Sequence, residues 1–359
     1  MEGNLFTPSL PLIKGRAATH NPVNRFEPLA LEADPDWLEQ EPGREIKTQF
    51  FRDQTRDILS KNDSPDIPFT YSINPYRGCE HGCIYCYARP THEYLGLSSG
   101  IDFETKIIVK PDAPKLLEKR FKSRNWVPQV IAFSGNTDCY QPVEKQLELT
   151  RKCLEVFLKF RNPVGIITKN ALILRDLDLL QELAKYDLVA TTLSITTLDN
   201  SLCRKMEPRT SAPLKRLDAL EKLVAAGIPA SVNVAPVIPG LTDHEMPEIL
   251  KEAAKRGVKG AAYILMRLPH AVKELFLAWA EKHFPDRANK MLHFVQETRA
   301  GALNDPCFGS RMRGEGVRAD TIEKLFKVCC QKYGFNRQRF SGLTTEHFRR
   351  TEMSQGELF

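Results

Sequence analysis

Between about residues 64 and 268, short apolar runs rich in β-branched residues alternate with longer stretches whose apolar positions recur every three or four residues. The runs 68–73, 129–134, 164–168, 188–196, 230–237 and 261–266 predict six strands, and their nearly continuous apolar character predicts burial on both faces. The stretches between them predict helices. Residues 145–160 place Leu147, Leu154, Phe157 and Leu158 on one face. The patterns over 213–226 and 245–256 stop at Gly227 and Gly257, the residue type that best accepts the left-handed turn ending a helix. Strand–helix units joined by right-handed crossovers give a parallel sheet. Six units rather than eight predict an α/β fold of the partial (β/α)6 TIM type, a barrel open on one side. Its active site belongs at the C-terminal ends of the strands.

The flanks are patterned differently. Residues 1–63 are rich in Pro, Asn and charge without periodicity, and predict an N-terminal extension that wraps the barrel domain of residues 64–270. Residues 271–359 predict a helical C-terminal region with a flexible tail. Leu275, Phe276, Ala278, Trp279 and Phe284 mark one helix packed on the barrel, and 321–333 a second. The second carries Cys329 and Cys330, which as helical neighbours point to different sides and speak against a joint metal site. No internal repeat is evident.

A hydrophobic fraction of 42% is ample for a packed core without disulfide staples. The nine cysteines are odd in number and only the first three cluster, which predicts a reducing, cytoplasmic setting. No apolar segment has the length of a signal peptide or a membrane span, so no membrane association is expected. A formal charge of +6 permits nucleic-acid binding without requiring it. The densest basic segment, 106–124, reads as a solvated helix face or as a phosphate-binding stripe.

Chemistry concentrates just after the first strand. Cys79, Cys83 and Cys86 read C-x3-C-x2-C within the segment Asn74-Pro-Tyr-Arg-Gly-Cys-Glu-His-Gly-Cys-Ile-Tyr-Cys-Tyr-Ala88. Three thiolates so closely spaced suit an iron–sulfur cluster, and one ligand short of four leaves an iron open to a small molecule. Zinc with His81 or His92 as fourth ligand is the alternative, though no second knuckle follows at finger-like spacing. The spacing, with the aromatic Tyr85 before the third cysteine, resembles the signature of the radical SAM superfamily. That resemblance implies a 4Fe-4S cluster held by Cys79, Cys83 and Cys86, with S-adenosylmethionine on the open iron. It also implies a reducing electron donor of the flavodoxin or ferredoxin type.

Polar residues gather at the later strand ends. Ser134-Gly-Asn-Thr-Asp-Cys-Tyr140 follows the second strand, and the resemblance implies that Gly135, Asn136, Thr137 and Asp138 stand where relatives hold the methionine amino group with a Gly-Gly-Glu-like motif. Lys169 ends the third strand, where it can pair with a carboxylate. Ser194 and Thr196 alternate with apolar residues on the fourth and so share one face. The Pro/Gly-rich exit 236–243 is the position that the resemblance assigns to adenine.

Asn74-Pro-Tyr-Arg-Gly-Cys79, Cys86-Tyr-Ala88, Thr168-Lys169, Ser194-Ile-Thr-Thr197, Glu207-Pro-Arg209 and Pro239-Gly-Leu241 resemble the spore photoproduct lyase-related branch. Asn21-Pro-Val-Asn-Arg-Phe26 and Phe308-Gly-Ser-Arg-Met312 look closer to an uncharacterised bacterial group within it. The implied activity is reductive cleavage of S-adenosylmethionine to a 5′-deoxyadenosyl radical that abstracts hydrogen from a substrate. Nucleic acid, with DNA-lesion repair or modification by a lyase-like reaction, leads as the substrate class. A peptide or small metabolite, or a non-catalytic iron–sulfur DNA sensor, is the alternative. Cys139 is a candidate hydrogen-atom donor, set against an ordinary structural thiol. The terminal Gln355-Gly-Glu-Leu-Phe359 resembles a sliding-clamp-binding peptide.

Overall fold

The structure, a computed structural model, describes residues 13–27, 46–337 and 342–350. The terminal segment Gln355-Gly-Glu-Leu-Phe359 lies outside the described residues. In chain order the strands are β1 (Gln49–Arg52), β2 (Leu59–Lys61), β3 (Tyr71–Ile73), β4 (Tyr76–Arg77), β5 (Lys106–Val109), β6 (Ile131–Phe133), β7 (Val164–Thr168), β8 (Val189–Ser194), β9 (Ala230–Val237) and β10 (Gly260–Leu265).

Seven of them form one sheet in the order β10-β9-β8-β7-β6-β3-β2. The six strands expected from the apolar runs are all present and pair in parallel from β3 to β10. The sheet does not close, so the partial, open architecture holds. β2 is an addition: it comes from the N-terminal extension and pairs antiparallel with β3. The extension also supplies β1, which runs parallel to β5 in a small sheet ordered β1-β5-β4. The basic segment 106–124 is therefore not one helix face. It is β5, a turn at Pro111, and the helix Ala113–Lys122.

The two faces of the large sheet differ, against the expectation of strands apolar on both. Ile73, Ile131, Phe133, Val164, Ile166, Val189, Leu193, Val232 and Val234 pack with the surrounding helices in the main core. The alternate positions, Ser72, Ala132, Gly165, Ser194 and Asn233, are small or polar and line the barrel interior. Large apolar side chains there would fill the barrel. Small ones leave room for a ligand near its mouth.

The helix expected over 145–160 is two helices, Glu144–Leu147 and Leu149–Phe160, broken where Glu148 turns left-handed at φ 53°. After β10 come the helices Val272–His283, Ala288–Glu297 and Val317–Tyr333. The first two bury Phe276, Trp279 and Met291 in a second core, together with Ile84 of the cysteine loop and Met206. Across the open side, Arg311 of the short helix Ser310–Arg313 forms a two-pronged ion pair with Asp66 in the β2–β3 loop (Nε–Oδ2 2.7 Å, Nη2–Oδ1 2.6 Å). That contact joins the two edges of the open sheet. No helix among the described residues is long and apolar enough to cross a membrane.

Candidate active site

The cysteine loop, residues 78–88, follows β4 at the C-terminal end of the first barrel strand. Gly78 and Gly82 give it its shape, with φ of +78° and +64°. A Cβ on Gly78 would lie 2.8 Å from His92 Cε1, and one on Gly82 2.6 Å from Glu104 Oε2, so neither position admits a side chain. Arg89, fully buried, holds the loop by its carbonyls: Nε donates to Cys83 O at 2.9 Å and Nη2 to Gly82 O at 3.1 Å. The same guanidinium pairs with Glu104 at 2.6 Å. The Glu104 carboxylate also accepts from the Ala17 and Ala18 N–H groups, so the N-terminal extension helps to fix the loop.

Cys79 and Cys83 are buried, Cys86 is partly buried, and all three are free thiols. Backbone N–H groups of His81 and Asp138 face Cys79 Sγ, and those of Ala88 and Arg89 face Cys86 Sγ. Burial pushes all three thiols up, while these N–H donors favour the thiolate. Among the described residues no group of three or more His, Cys, Asp or Glu side chains is arranged to hold a single metal ion. Three soft thiols close along the chain are a donor set that suits an iron–sulfur cluster. Each histidine considered as a fourth zinc ligand has one ring nitrogen engaged elsewhere. His81 Nδ1 lies 3.3 Å from Asp138 Oδ2, and His92 Nε2 donates to Lys106 O at 2.9 Å.

Beneath the loop lies a buried polar hub centred on Glu207, a residue of the Glu207-Pro-Arg209 segment with no role assigned from sequence. Tyr85 Oη and Arg216 Nη2 both donate to its carboxylate. Thr196 Oγ1 donates at 2.7 Å and Lys169 Nζ pairs at 3.0 Å. Lys169 also donates to Thr196 Oγ1 (3.0 Å) and Ala235 O (2.8 Å), so its three protons are all engaged. Burial, then Arg216, pushes its ammonium down to about 8. Pairing with a cofactor carboxylate therefore requires Lys169 to exchange one of these partners.

The other strand-end residues divide. Asn74 Oδ1 accepts from the N–H groups of Asn136 (2.9 Å) and Thr137 (3.3 Å), and Thr137 Oγ1 donates to Tyr76 O at 2.8 Å. Asp138 accepts from Thr168 Oγ1 (2.7 Å) and Lys169 N (2.8 Å), tying the β6 loop to the end of β7. Burial raises the Asp138 carboxyl, but His81 and these hydrogen bonds outweigh it and hold the group low. Gly135 O accepts from Tyr87 Oη at 2.8 Å. Cys139 is fully buried in the main core, and burial pushes its thiol well up, which keeps it protonated. Ser194 and Asn233 face each other across β8 and β9. Asn233 Oδ1 is buried without a hydrogen-bond partner among the described residues. An orphaned acceptor inside a small-residue barrel fits a polar ligand.

His92 provides a check on this packing. Burial pushes its imidazole down to about 4, from 6.5, against the raising effect of the Lys106 carbonyl. Between those values the unfolded chain binds a proton that the folded chain does not, so stability falls as pH drops from 6.5 to 4. The expected loss is about 3 kcal/mol. Urea titrations across that range should show it, and His92→Gln should flatten the slope.

The profile of the radical SAM superfamily matches residues 73–253. The chain belongs to the radical SAM superfamily. An uncharacterised protein of Mycobacterium tuberculosis is 34% identical over 249 residues, covering 69% of this chain and 72% of that protein. The radical SAM Nalpha-GlyT isomerase of Pseudomonas phage M6 is 23% identical over 259 residues, 70% of this chain and 51% of that one. Among solved structures, spore photoproduct lyase complexed with dinucleoside spore photoproduct superposes with a TM-score of 0.57 at 19% identity, over 80% of each chain. A variant of that lyase with bound AdoMet and dinucleoside spore photoproduct gives the same score at 18% identity. As a radical SAM enzyme, the protein uses a 4Fe-4S cluster and S-adenosylmethionine and needs a reductant. The free thiols with their N–H donors and the small-residue interior fit both cofactors.

Proposed function

We propose that this radical SAM enzyme acts on a nucleic acid, abstracting hydrogen from a base or sugar brought to the barrel mouth for lesion repair or modification. Cys79, Cys83 and Cys86 hold the cluster. The cofactor pair, when bound and reduced by a flavodoxin- or ferredoxin-type donor, supplies one-electron cleavage of S-adenosylmethionine to methionine and a 5′-deoxyadenosyl radical. The β6 loop at Gly135, Asn136 and Thr137 orients the methionine end, and Lys169, Ser194, Thr196 and Asn233 line the space beside it. Asp138 and Glu207 act one step back, fixing the loop and the lysine. Tyr85 seals the floor. The barrel of residues 64–270 carries this chemistry, and the flanking segments 1–63 and 271–359 wall it.

The observation that carries the substrate class is a row of guanidinium–aromatic pairs beside the cysteine loop. Arg25 lies over Phe26 (5.1 Å), Arg267 over Tyr87 (5.4 Å) and Arg311 over Phe308 (4.8 Å). The rings are 53%, 50% and 57% exposed. The pairs are neighbours: Arg25 Nη1 lies 2.9 Å from His270, three residues past Arg267, and Arg267 feels the charge of Arg311. Exposed rings set among fixed positive charges are what stacks bases and tracks a phosphate backbone. The dinucleoside ligand of spore photoproduct lyase, which shares the fold, supports the same reading.

The test is 5′-deoxyadenosine formation by the anaerobically reconstituted protein with dithionite and S-adenosylmethionine. Oligonucleotides are expected to raise the yield several-fold over peptides or no addition, and the Cys79/Cys83/Cys86→Ala variant to give none. Stimulation by peptides alone would move the substrate to that class. No product from a reducible cluster with oligonucleotide present would leave the sensor reading.

A further inference from the structure

The three pairs are alike in geometry but not in what else their arginines do. Arg25 pairs with Glu93 and meets His270. Arg311 is clamped by Asp66 and Ser64. Arg267 makes no hydrogen bond and no ion pair among the described residues; its one contact of this kind is the face of Tyr87. It is nonetheless half-buried, two residues past the end of β10. Guanidinium groups taken this far out of water normally find a carboxylate or a set of carbonyls. Arg267 has instead a like charge nearby. Burial, then Arg311, pushes its guanidinium below the ordinary value, opposed only weakly by Tyr87, Asp66 and Asp305.

The position is as telling as the lack of partners. Tyr87 directly follows Cys86, and its hydroxyl is fixed on Gly135 O at the end of β6. Arg267 therefore lies beside the cysteine loop, over a ring whose hydroxyl is held by the β6 loop. An anion arriving there meets an unpaired fork with two parallel N–H directions, the geometry that matches a phosphate. Tyr87, under Arg267, and Phe308, under Arg311, each remain about half exposed. A phosphodiester with its flanking bases uses both features at once, whereas an isolated carboxylate uses only the charge.

We infer that the Arg267 guanidinium, stacked on Tyr87, receives a phosphodiester of the substrate next to the nucleotide held over the cysteine loop. This rests on the nucleic-acid reading of the same mouth. Arg267 is then a substrate-positioning residue, and the aromatic pair beside it sets a preference for unpaired bases.

Fluorescence anisotropy of a labelled single-stranded DNA 12-mer, titrated with reconstituted protein over a range of salt, tests this. Arg267→Gln is expected to weaken binding about tenfold and to lower the salt slope by about 0.7, the value of one phosphate contact on a single strand. Arg267→Lys keeps the charge and loses the fork, so it should hold the slope while weakening binding about threefold. That variant also serves if the glutamine substitution does not fold, which its melting curve would reveal. Arg313→Gln removes an exposed charge from the same helix as Arg311 and should change little. Wild-type binding with an unchanged slope in Arg267→Gln, or an equal loss in Arg313→Gln, would overturn the assignment while leaving the substrate class intact. Wild-type protein that ignores the oligonucleotide but takes an acidic peptide of equal charge would overturn both.

Discussion

Glu207→Gln is expected to cost about 3–5 kcal/mol of folding stability, the range for removing one partner from a buried ion pair. The carboxylate is fully buried between Arg216, whose side chain is 1% exposed, and Lys169, at 15%. Glutamine keeps the size but leaves two cations facing a neutral amide. The loss should reach the cysteine loop as well, because Tyr85 Oη donates to this carboxylate and Tyr85 immediately precedes Cys86. Denaturant titration gives the stability. Iron–sulfur absorbance per chain after reconstitution gives the loop, and it should fall in Glu207→Gln. A variant with wild-type stability and full cluster loading would show that the hub does not hold the loop.

The second large effect belongs to the ion pair across the open side. Arg311→Met should cost about 1.5–3 kcal/mol, the usual range for hydrogen bonds to charged groups. Its pH dependence has a definite sign. The Arg311 guanidinium beside Asp66 holds that carboxyl far below 3.8, so its contribution is complete above that pH and is lost as pH falls further. Asp66→Asn should cost more than Arg311→Met, because it leaves Arg311 and Arg267 adjacent without the Asp66 carboxylate to offset them. The double variant should fall short of the sum, as expected for partners in direct contact. Additive losses would show that the two residues act separately.

Much of this molecule is legible in its sequence, for identifiable reasons. Barrel strands such as 230–237 announce themselves because one face packs against helices, and that requirement places Val232 and Val234 at alternate positions. The cysteine loop is legible because its three cysteines fall within one short segment, Cys79 to Cys86. The hub is not. Glu207 meets Thr196, 11 residues away, Lys169 at 38 and Tyr85 at 122, and no local pattern encodes such meetings. β1 is equally silent, since Gln49–Arg52 is exposed at all four positions and shows no alternation. β5 was hidden by charge: Lys106 and Lys110 bracket it, and the run of lysines beyond Pro111 draws it into a helical reading. Arg267 carries no sequence signal at all. What distinguishes it is the absence of a partner, which only the assembled mouth reveals.

The order in which the sheet edges become available has a consequence for a chain still on the ribosome. β2 and β3 are separated by a short loop and can pair as soon as both have emerged. The Asp66–Arg311 contact must wait for 245 more residues, roughly 10–50 s of synthesis at ordinary rates. Cys79, Cys83 and Cys86 are made near the start of that interval. For most of it the nascent barrel lacks the clasp that joins its edges.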